Sequence, residues 1–97
     1  MPLFLITRDV PGITQEEMDA AAYRAITCAF NYDGLTWWHS YWDKQSGVLH
    51  CVYEAQSAED IFEHAQAARI PCDEVREVEQ FGPVSYTGEE VTQLART

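Results

Sequence analysis

The feature that most constrains this chain is a predicted β-hairpin over residues 36–54, TWWHSYWDKQSGVLHCVYE. Two runs of residues that favour strands flank the polar break DKQSG at residues 43–47, a pattern typical of two antiparallel strands joined by a turn. The hairpin contains all three tryptophans, two of the three histidines and one of the three cysteines. Most residue types that could carry chemistry therefore lie in one short segment.

Both faces of the hairpin are predicted to be apolar, because successive strand residues point to opposite faces. The alternation places Trp37, His39 and Tyr41 on one face, and Trp38, Ser40 and Trp42 on the other. Such a hairpin needs a covering layer on each side. We expect the protein's own helices on one side and a second copy of the chain, making a homodimer, on the other.

The segments around the hairpin predict two helices and two further strands. A strand over residues 3–9 precedes a helix that is capped by Thr14 and ends near residues 31–34. After the hairpin, Ser57 caps a second helix that runs to about Arg69. A fourth strand, at the edge of the sheet, is predicted over residues 73–81.

This order, βαββαβ, predicts an α+β fold of the ferredoxin-like class. Right-handed crossovers place both helices on one face of one antiparallel sheet, the arrangement from which dimeric α/β-barrels are built. We assign residues 1–81 to this domain and residues 82–97 to a C-terminal tail that could lie as an arm over a partner. A weak helical pattern covers residues 89–94 of the tail.

Charge and cysteine content restrict the partners and the compartment. The formal net charge is −10 and the isoelectric point is near 4.4, so the surface repels nucleic acid and anionic membranes. No stretch approaches the roughly 20 apolar residues of a membrane span. Cys28, Cys51 and Cys72 are an odd number without a close pair, which predicts three free thiols and a cytoplasmic location.

A divalent metal site is one interpretation of the histidines and cysteines. If the hairpin turn has five residues, His39 lies opposite Cys51, and His64 points at the same sheet from the second helix. Imidazole and thiolate suit nickel, zinc or copper, and a carboxylate such as Glu54 could assist. The competing interpretation is that both histidines are hydrogen-bonded core residues and that Cys51 is a small buried hydrophobe.

The hairpin register decides which residues share a face. With a turn of four residues, Asp43 pairs with Val48, and His39 then shares its face with His50 and Val52 while Cys51 turns away. The sequence alone leaves both registers open.

An aromatic ligand pocket is a second interpretation. Tyr41 and Tyr53, together with the hairpin tryptophans, could surround a small molecule, with a histidine acting as a general base. Arg8 and Asp9 could bind a substrate carboxylate or could form a solvated ion pair.

Several short motifs resemble a small bacterial family of about this length that is often labelled nickel-binding. They are WWHSY at residues 37–41, HCVYEA at 50–55, EHA at 63–65, IPCDEV at 70–75 and the opening strand that ends in RDVPG at 8–12. The resemblance covers most of residues 2–80 and implies a ferredoxin-like dimer that binds nickel.

The resemblance also implies site residues. The histidine of the HSY motif falls on His39, the strand cysteine and tyrosine on Cys51 and Tyr53, and the helix histidine on His64. The chain departs from the family in having the bulky Trp42, Ala68 where glycine is common, and a different tail after Phe81; the added bulk would narrow a pocket or tighten an interface.

The working hypothesis is a cytoplasmic homodimer that binds a divalent transition metal, nickel first. His39 and His64 are the expected ligands, assisted by Cys51 or Glu54, and Tyr41 and Tyr53 border the site. The alternatives are a small cofactor-free enzyme of the dimeric α/β-barrel type, with a small-molecule substrate, and a non-catalytic accessory subunit.

Overall fold

The computed structural model describes residues 1–88, which form one four-stranded antiparallel sheet with helices. The elements are β1 (Leu3–Asp9), α1 (Gln15–Ala29), β2 (Thr36–Asp43), β3 (Val48–Glu54), α2 (Ala58–Ala68), β4 (Glu74–Val78) and α3 (Pro83–Thr87). The strand order is β2-β3-β1-β4, and each neighbouring pair is antiparallel. This α+β arrangement is compatible with the predicted ferredoxin-like fold.

The predicted helix starts are confirmed by their caps. The Thr14 hydroxyl accepts a hydrogen bond from the Glu17 backbone N–H at 3.1 Å, and the Glu17 carboxylate accepts one from the Thr14 N–H at 3.0 Å. The Ser57 hydroxyl accepts from the Asp60 N–H at 3.3 Å at the start of α2. The first turn of a helix has backbone N–H groups without a helical acceptor. These bonds satisfy two of them at the start of α1 and one at the start of α2.

The end of the domain differs from the prediction. The fourth strand stops at Val78 because Val78 pairs with Leu3, the first residue of β1, so no partner strand remains beyond it. Pro83 then begins the short helix α3, a position that proline favours because its missing N–H would have no helical acceptor. The helical pattern predicted for residues 89–94 lies outside the described residues.

The two faces of the sheet have different surroundings. We call the face covered by α1 and α2 the helix face, and the opposite one the open face. In β1 the buried side chains of Phe4, Ile6 and Arg8 alternate with the half-buried ones of the open face. The core lies between the helix face and the helices and contains Phe4, Ile6, Leu35, Leu49, Cys51, Tyr53, Ala55 and Ile61.

Among residues 1–88, no helix is both long and apolar enough to span a membrane. The longest helix in this range has 15 residues and carries charged side chains.

Hydrogen bonds within the hairpin turn, and one to the loop after β1, stabilise the turn. The Asp43 carboxylate accepts hydrogen bonds from the N–H groups of Ser46 and Gln45, which lower the pKa of Asp43. The Gly47 carbonyl accepts from the Val10 N–H at 2.7 Å, so the turn is tied to the loop that follows β1. Gly47 has a φ of +79°, and a Cβ there would lie 2.5 Å from the Pro11 Cα.

Gly47 and Gly12 provide a matched test of this contact. Both have positive φ, but a Cβ at Gly12 would meet no atom within 4 Å. We expect Gly12→Ala to lower the free energy of unfolding by about 1 kcal/mol through backbone strain alone. Gly47→Ala should cost about 3 kcal/mol because the Pro11 backbone must also move. Chemical denaturation measures both; equal losses would contradict the packing described for the turn.

Candidate functional site

A β-bulge in β2 decides which hairpin side chains face the helices. Trp37 pairs with Tyr53 and His39 pairs with Val52, so Trp38 is an extra residue between them. Trp37 consequently lies on the helix face, where its ring stacks on Tyr53 with centroids 6.3 Å apart. The Trp37 indole N–H donates to the Ser40 hydroxyl at 2.9 Å. The simple alternation predicted for Trp37 and Trp38 is therefore wrong, because the bulge exchanges their faces.

The register beyond the bulge is the one with a four-residue turn. Asp43 pairs with Val48, and Ser40 pairs with Cys51 on the helix face. His39 therefore lies on the open face with His50 and Val52, and Cys51 is buried on the other side. The register that would place His39 opposite Cys51 is wrong.

Two imidazoles lie on adjacent strands of the open face. Tyr41 pairs with His50, and His39 is two residues from Tyr41, so the two histidines are diagonal neighbours across β2 and β3. The His39 ring contacts Tyr41 edge-on with centroids 5.3 Å apart. The Nδ1 of His50 lies 3.3 Å from the Thr7 hydroxyl oxygen, which orients the ring and makes Nε2 the nitrogen that a metal ion would use.

A cleft of about 380 Å³ borders His39 on the open face. One wall is the segment that leaves β4, which contributes the Glu79 carboxylate and the exposed Phe81 ring. The remaining lining comes from all four strands: Leu3, His39, Tyr41, Val52 and Val78, with Gln80 from the same segment as Glu79. The cleft thus combines an imidazole, a phenol and a carboxylate.

Glu54 also lies at the open face, but its carboxylate is engaged elsewhere. It accepts a hydrogen bond from the Trp38 indole N–H at 3.3 Å. Its pairing partners are Thr36 and Leu3, at the end of the hairpin away from the turn.

His64 occupies the core between α2, α1 and the sheet. It is fully buried, and its Nε2–H donates to the Ala25 carbonyl of α1 at 2.8 Å. Its ring contacts those of Tyr32 and Tyr53, with centroids 6.0 and 5.6 Å away. Burial lowers the pKa of His64, an effect that the bond to Ala25 opposes and the Arg8 charge reinforces. Of the two interpretations drawn from the sequence, this geometry fits His64 as a hydrogen-bonded core residue.

The predicted metal ligands do not come together. His64 and Cys51 lie on the helix side and His39 and Glu54 at the open face, so one ion within one chain cannot contact both histidines. In the part of the chain that the structure describes, no three His, Cys, Asp or Glu side chains form a group that could hold a metal ion. Of the two predicted tyrosines, Tyr41 is exposed on the open face and Tyr53 is buried on the helix face.

Arg8 is buried on the helix face and is not a solvated partner of Asp9. The alternation of β1 puts Asp9 on the exposed side, where its N–H donates to the Asp73 carboxylate at 2.7 Å. The Arg8 Nη1–H donates to the Pro71 carbonyl, and the guanidinium carbon lies 5.8 Å from the centre of the Tyr53 ring. Burial raises the pKa of Tyr53 to about 12, with the Arg8 charge opposing the shift. Burial likewise raises the pKa of the Cys72 thiol.

A larger cavity, of about 430 Å³, lies between α1 and the helix face. Its apolar walls include Trp37, Trp42 and Leu49 from the hairpin and a row of alanines from α1. Arg8, Tyr53 and Cys51 also line it. No histidine from residues 1–88 lines it, so this aromatic cavity lacks the predicted imidazole base.

Sequence reasoning placed Arg8 at a possible carboxylate site and the hairpin tryptophans in a possible aromatic pocket, but it assigned His50 to no site. His50 shares a face with His39 in the four-residue register, one of the two that the sequence left open, and the structure decides between them. Trp42 was expected on the face away from His39, which is correct, but the cavity beneath it depends on the distance between α1 and the sheet. No sequence pattern reports that distance.

The buried His64 should make stability depend on pH. The unfolded chain takes up a proton at this residue near pH 6.5, while burial holds the pKa of His64 lower in the folded protein. The contribution of neutral His64 to the free energy of unfolding is fully present above about pH 6.5. It is lost as the pH falls below that value, at up to about 1.4 kcal/mol per pH unit. Unfolding free energies between about pH 7 and 5 should therefore fall less steeply in His64→Gln than in the parent. His39→Gln should keep the parental slope because it retains His64; parallel curves for the parent and His64→Gln would contradict this account.

Comparisons with known proteins identify the family. Among solved structures, the chain is similar to SCO4226 from Streptomyces coelicolor A3(2), with a TM-score of 0.74 over 82% of this chain and 99% of that chain. The sequence identity is 22%, so this likeness shows the fold alone. No curated protein matches the chain. The family model described as nickel responsive protein SCO4226-like matches residues 4–78, from β1 to the end of β4, and confirms the resemblance drawn from the motifs. The chain therefore belongs to the small bacterial family of SCO4226-like nickel responsive proteins.

Proposed function

We propose that this protein binds a divalent transition-metal ion, nickel first, on the open face through His39 and His50. The observation that carries the proposal is the register, which makes these two histidines diagonal neighbours on adjacent strands. Side chains in this relation start roughly 7–8 Å apart, a separation that two imidazoles can span around one ion. The family description supplies nickel as the first metal to test.

The two imidazole rings favour a transition-metal ion such as nickel, zinc or copper over calcium or magnesium. Imidazole nitrogen is a ligand that nickel, zinc and copper accept readily, whereas the hard cations prefer oxygen. The Thr7 hydroxyl beside His50 Nδ1 supplies the outer hydrogen bond that commonly orients a metal-bound histidine. Glu79 lines the cleft beside His39 and offers a carboxylate oxygen.

One chain supplies too few ligands for a closed metal site, and we infer that a second copy supplies the remainder. The open face carries exposed Trp38, Tyr41 and Phe81, which would be covered if two sheets packed face to face. A twofold axis would duplicate the histidine pair and bring four imidazoles to one interface. In this proposal the open face is both the dimer interface and the metal-binding surface.

We also infer a reducing, cytoplasmic setting. All three cysteines are free, and burial keeps the Cys72 thiol protonated by raising its pKa. A cofactor-free enzyme with a histidine base receives less support because the larger cavity has no histidine in its wall among residues 1–88.

Nickel titration of tag-free protein by calorimetry tests the ligand assignment. We expect His39→Ala and His50→Ala each to weaken nickel binding about tenfold or more, and nickel to raise the thermal midpoint of the parent more than that of either variant. His64→Gln is the matched control, because it removes the third histidine from the other side of the sheet. Folded His64→Gln that loses nickel as strongly as His39→Ala, or equal binding by all four proteins, would refute the assignment.

Sedimentation velocity tests the dimer. Trp38 on the open face and Phe62 on α2 are both exposed aromatics, at 57% and 49%. The parent and Phe62→Glu should sediment as dimers at tens of micromolar, while Trp38→Glu should shift towards monomer because its charge would be buried in the interface. A parent that is monomeric with and without nickel would rule out a site shared between two chains.

A further inference from the structure

The cavity on the helix side holds a positive charge that no acidic side chain in residues 1–88 neutralises. Arg8 is 2% exposed, and its Nη2 has no hydrogen-bond partner in this part of the chain. Its polar neighbours are uncharged: the Pro71 carbonyl, the Tyr53 phenol and the Cys72 thiol, the last two kept protonated because burial raises each pKa. A buried guanidinium without a counter-ion is costly, and an anion would relieve that cost.

The distribution of charge around the cavity favours an anion. Three arginines, Arg8, Arg24 and Arg69, line it, against the single carboxylate of Glu17 among the described residues. The whole chain has 16 acidic and six basic residues. Glu17 is moreover engaged by the Thr14 N–H in the cap of α1. The wall of the cavity thus has the opposite charge balance from the chain as a whole.

A second unpaired donor lies in the same row of the sheet. The Trp42 indole N–H is buried without a partner among residues 1–88, and Trp42 lines the same cavity. Arg8 on β1 and Trp42 on β2 both pair with Leu49 of β3, so their backbones are two strand spacings apart, roughly 10 Å. The two donors therefore belong to one wall, and a ligand with acceptor atoms would satisfy them.

The rest of the wall is apolar. Trp37 and Leu49 border the cavity from the sheet, and Ala21 and Ala22 border it from α1. The small alanine side chains leave the space of about 430 Å³, which is within the range of about 300–1,000 Å³ that small-molecule sites occupy.

We propose that this cavity binds a small organic carboxylate with a flat or branched apolar body. The carboxylate accepts hydrogen bonds from the Arg8 guanidinium, and the apolar body lies between the hairpin tryptophans and the alanines of α1. The Trp42 indole N–H donates to a second acceptor atom of the ligand. This site lies on the opposite side of the sheet from the proposed metal site and does not depend on it.

Three probe pairs test the proposal: benzoate, phenylacetate and 4-methylpentanoate, each against its own amide. Binding is followed by calorimetry and by tryptophan fluorescence in a Trp38→Phe background, which leaves Trp37 and Trp42, both in the cavity wall, as the reporters. We expect at least one carboxylate to bind saturably and at least tenfold more tightly than its amide. Equal affinity for each acid and amide, or no saturable binding of any acid up to about 10 mM, would overturn the proposal.

Variants separate a ligand-binding Arg8 from a structural one. Arg8→Met keeps the aliphatic stem and removes the charge, and it should lower carboxylate affinity at least tenfold while leaving the ligand-free thermal midpoint unchanged or higher. Arg76→Met, at an exposed arginine of β4, is the matched control and should bind as the parent does. Arg8→Met that binds the carboxylate like the parent would refute the role of Arg8.

A cavity-filling variant keeps the test decisive if Arg8→Met fails to fold. Ala22→Leu retains every donor and occupies the space beside α1, so it should abolish carboxylate binding in a folded protein. Folded Ala22→Leu with parental affinity would place the ligand elsewhere and overturn the proposal.

Discussion

The pairing of β2 with β3 is the constraint on which the chemistry of this protein depends. Strand side chains alternate between faces, so the register determines which groups can act together. Asp43 and Gly47 set a turn of four residues, and the bulge at Trp38 adds one residue farther along. A shift of one residue in this pairing would place His39 opposite Cys51 and send its imidazole into the core.

The sheet consequently separates two kinds of chemistry. The open face carries exposed or half-exposed imidazoles, a phenol and carboxylates, which ions in the solvent can reach. The helix side carries Arg8 and His64 in nearly complete burial, where electrostatic interactions are stronger than in water. Nickel responsiveness, the property in the family description, fits the first set of groups better than the second.

The helix side of the sheet contains buried polar atoms that lack hydrogen-bond partners among the described residues. Arg8 Nη2, Trp42 Nε1 and His64 Nδ1 are buried polar atoms without partners among residues 1–88. Buried polar groups are usually hydrogen-bonded, and each orphaned atom costs about 1–3 kcal/mol. Arg8 and Trp42 line the cavity beneath α1, whereas His64 is absent from the described wall of that cavity.

The sequence by itself determined the element order from β1 to β4, the caps of α1 and α2 and the position of the hairpin, because these depend on local periodicity and on side chains that bond their own backbone. It also identified His39 and Arg8 as residues to explain. The tertiary structure alone decided the bulge at Trp38, the burial of His64 against Ala25 and the cavity beneath α1. These features depend on how elements distant in the chain pack together, and strand alternation predicts a face only as far as the next irregularity. His64 shows the limit most clearly, since a histidine among alanines on a helix looks the same in sequence whether its partner is a metal ion or the carbonyl of a neighbouring helix.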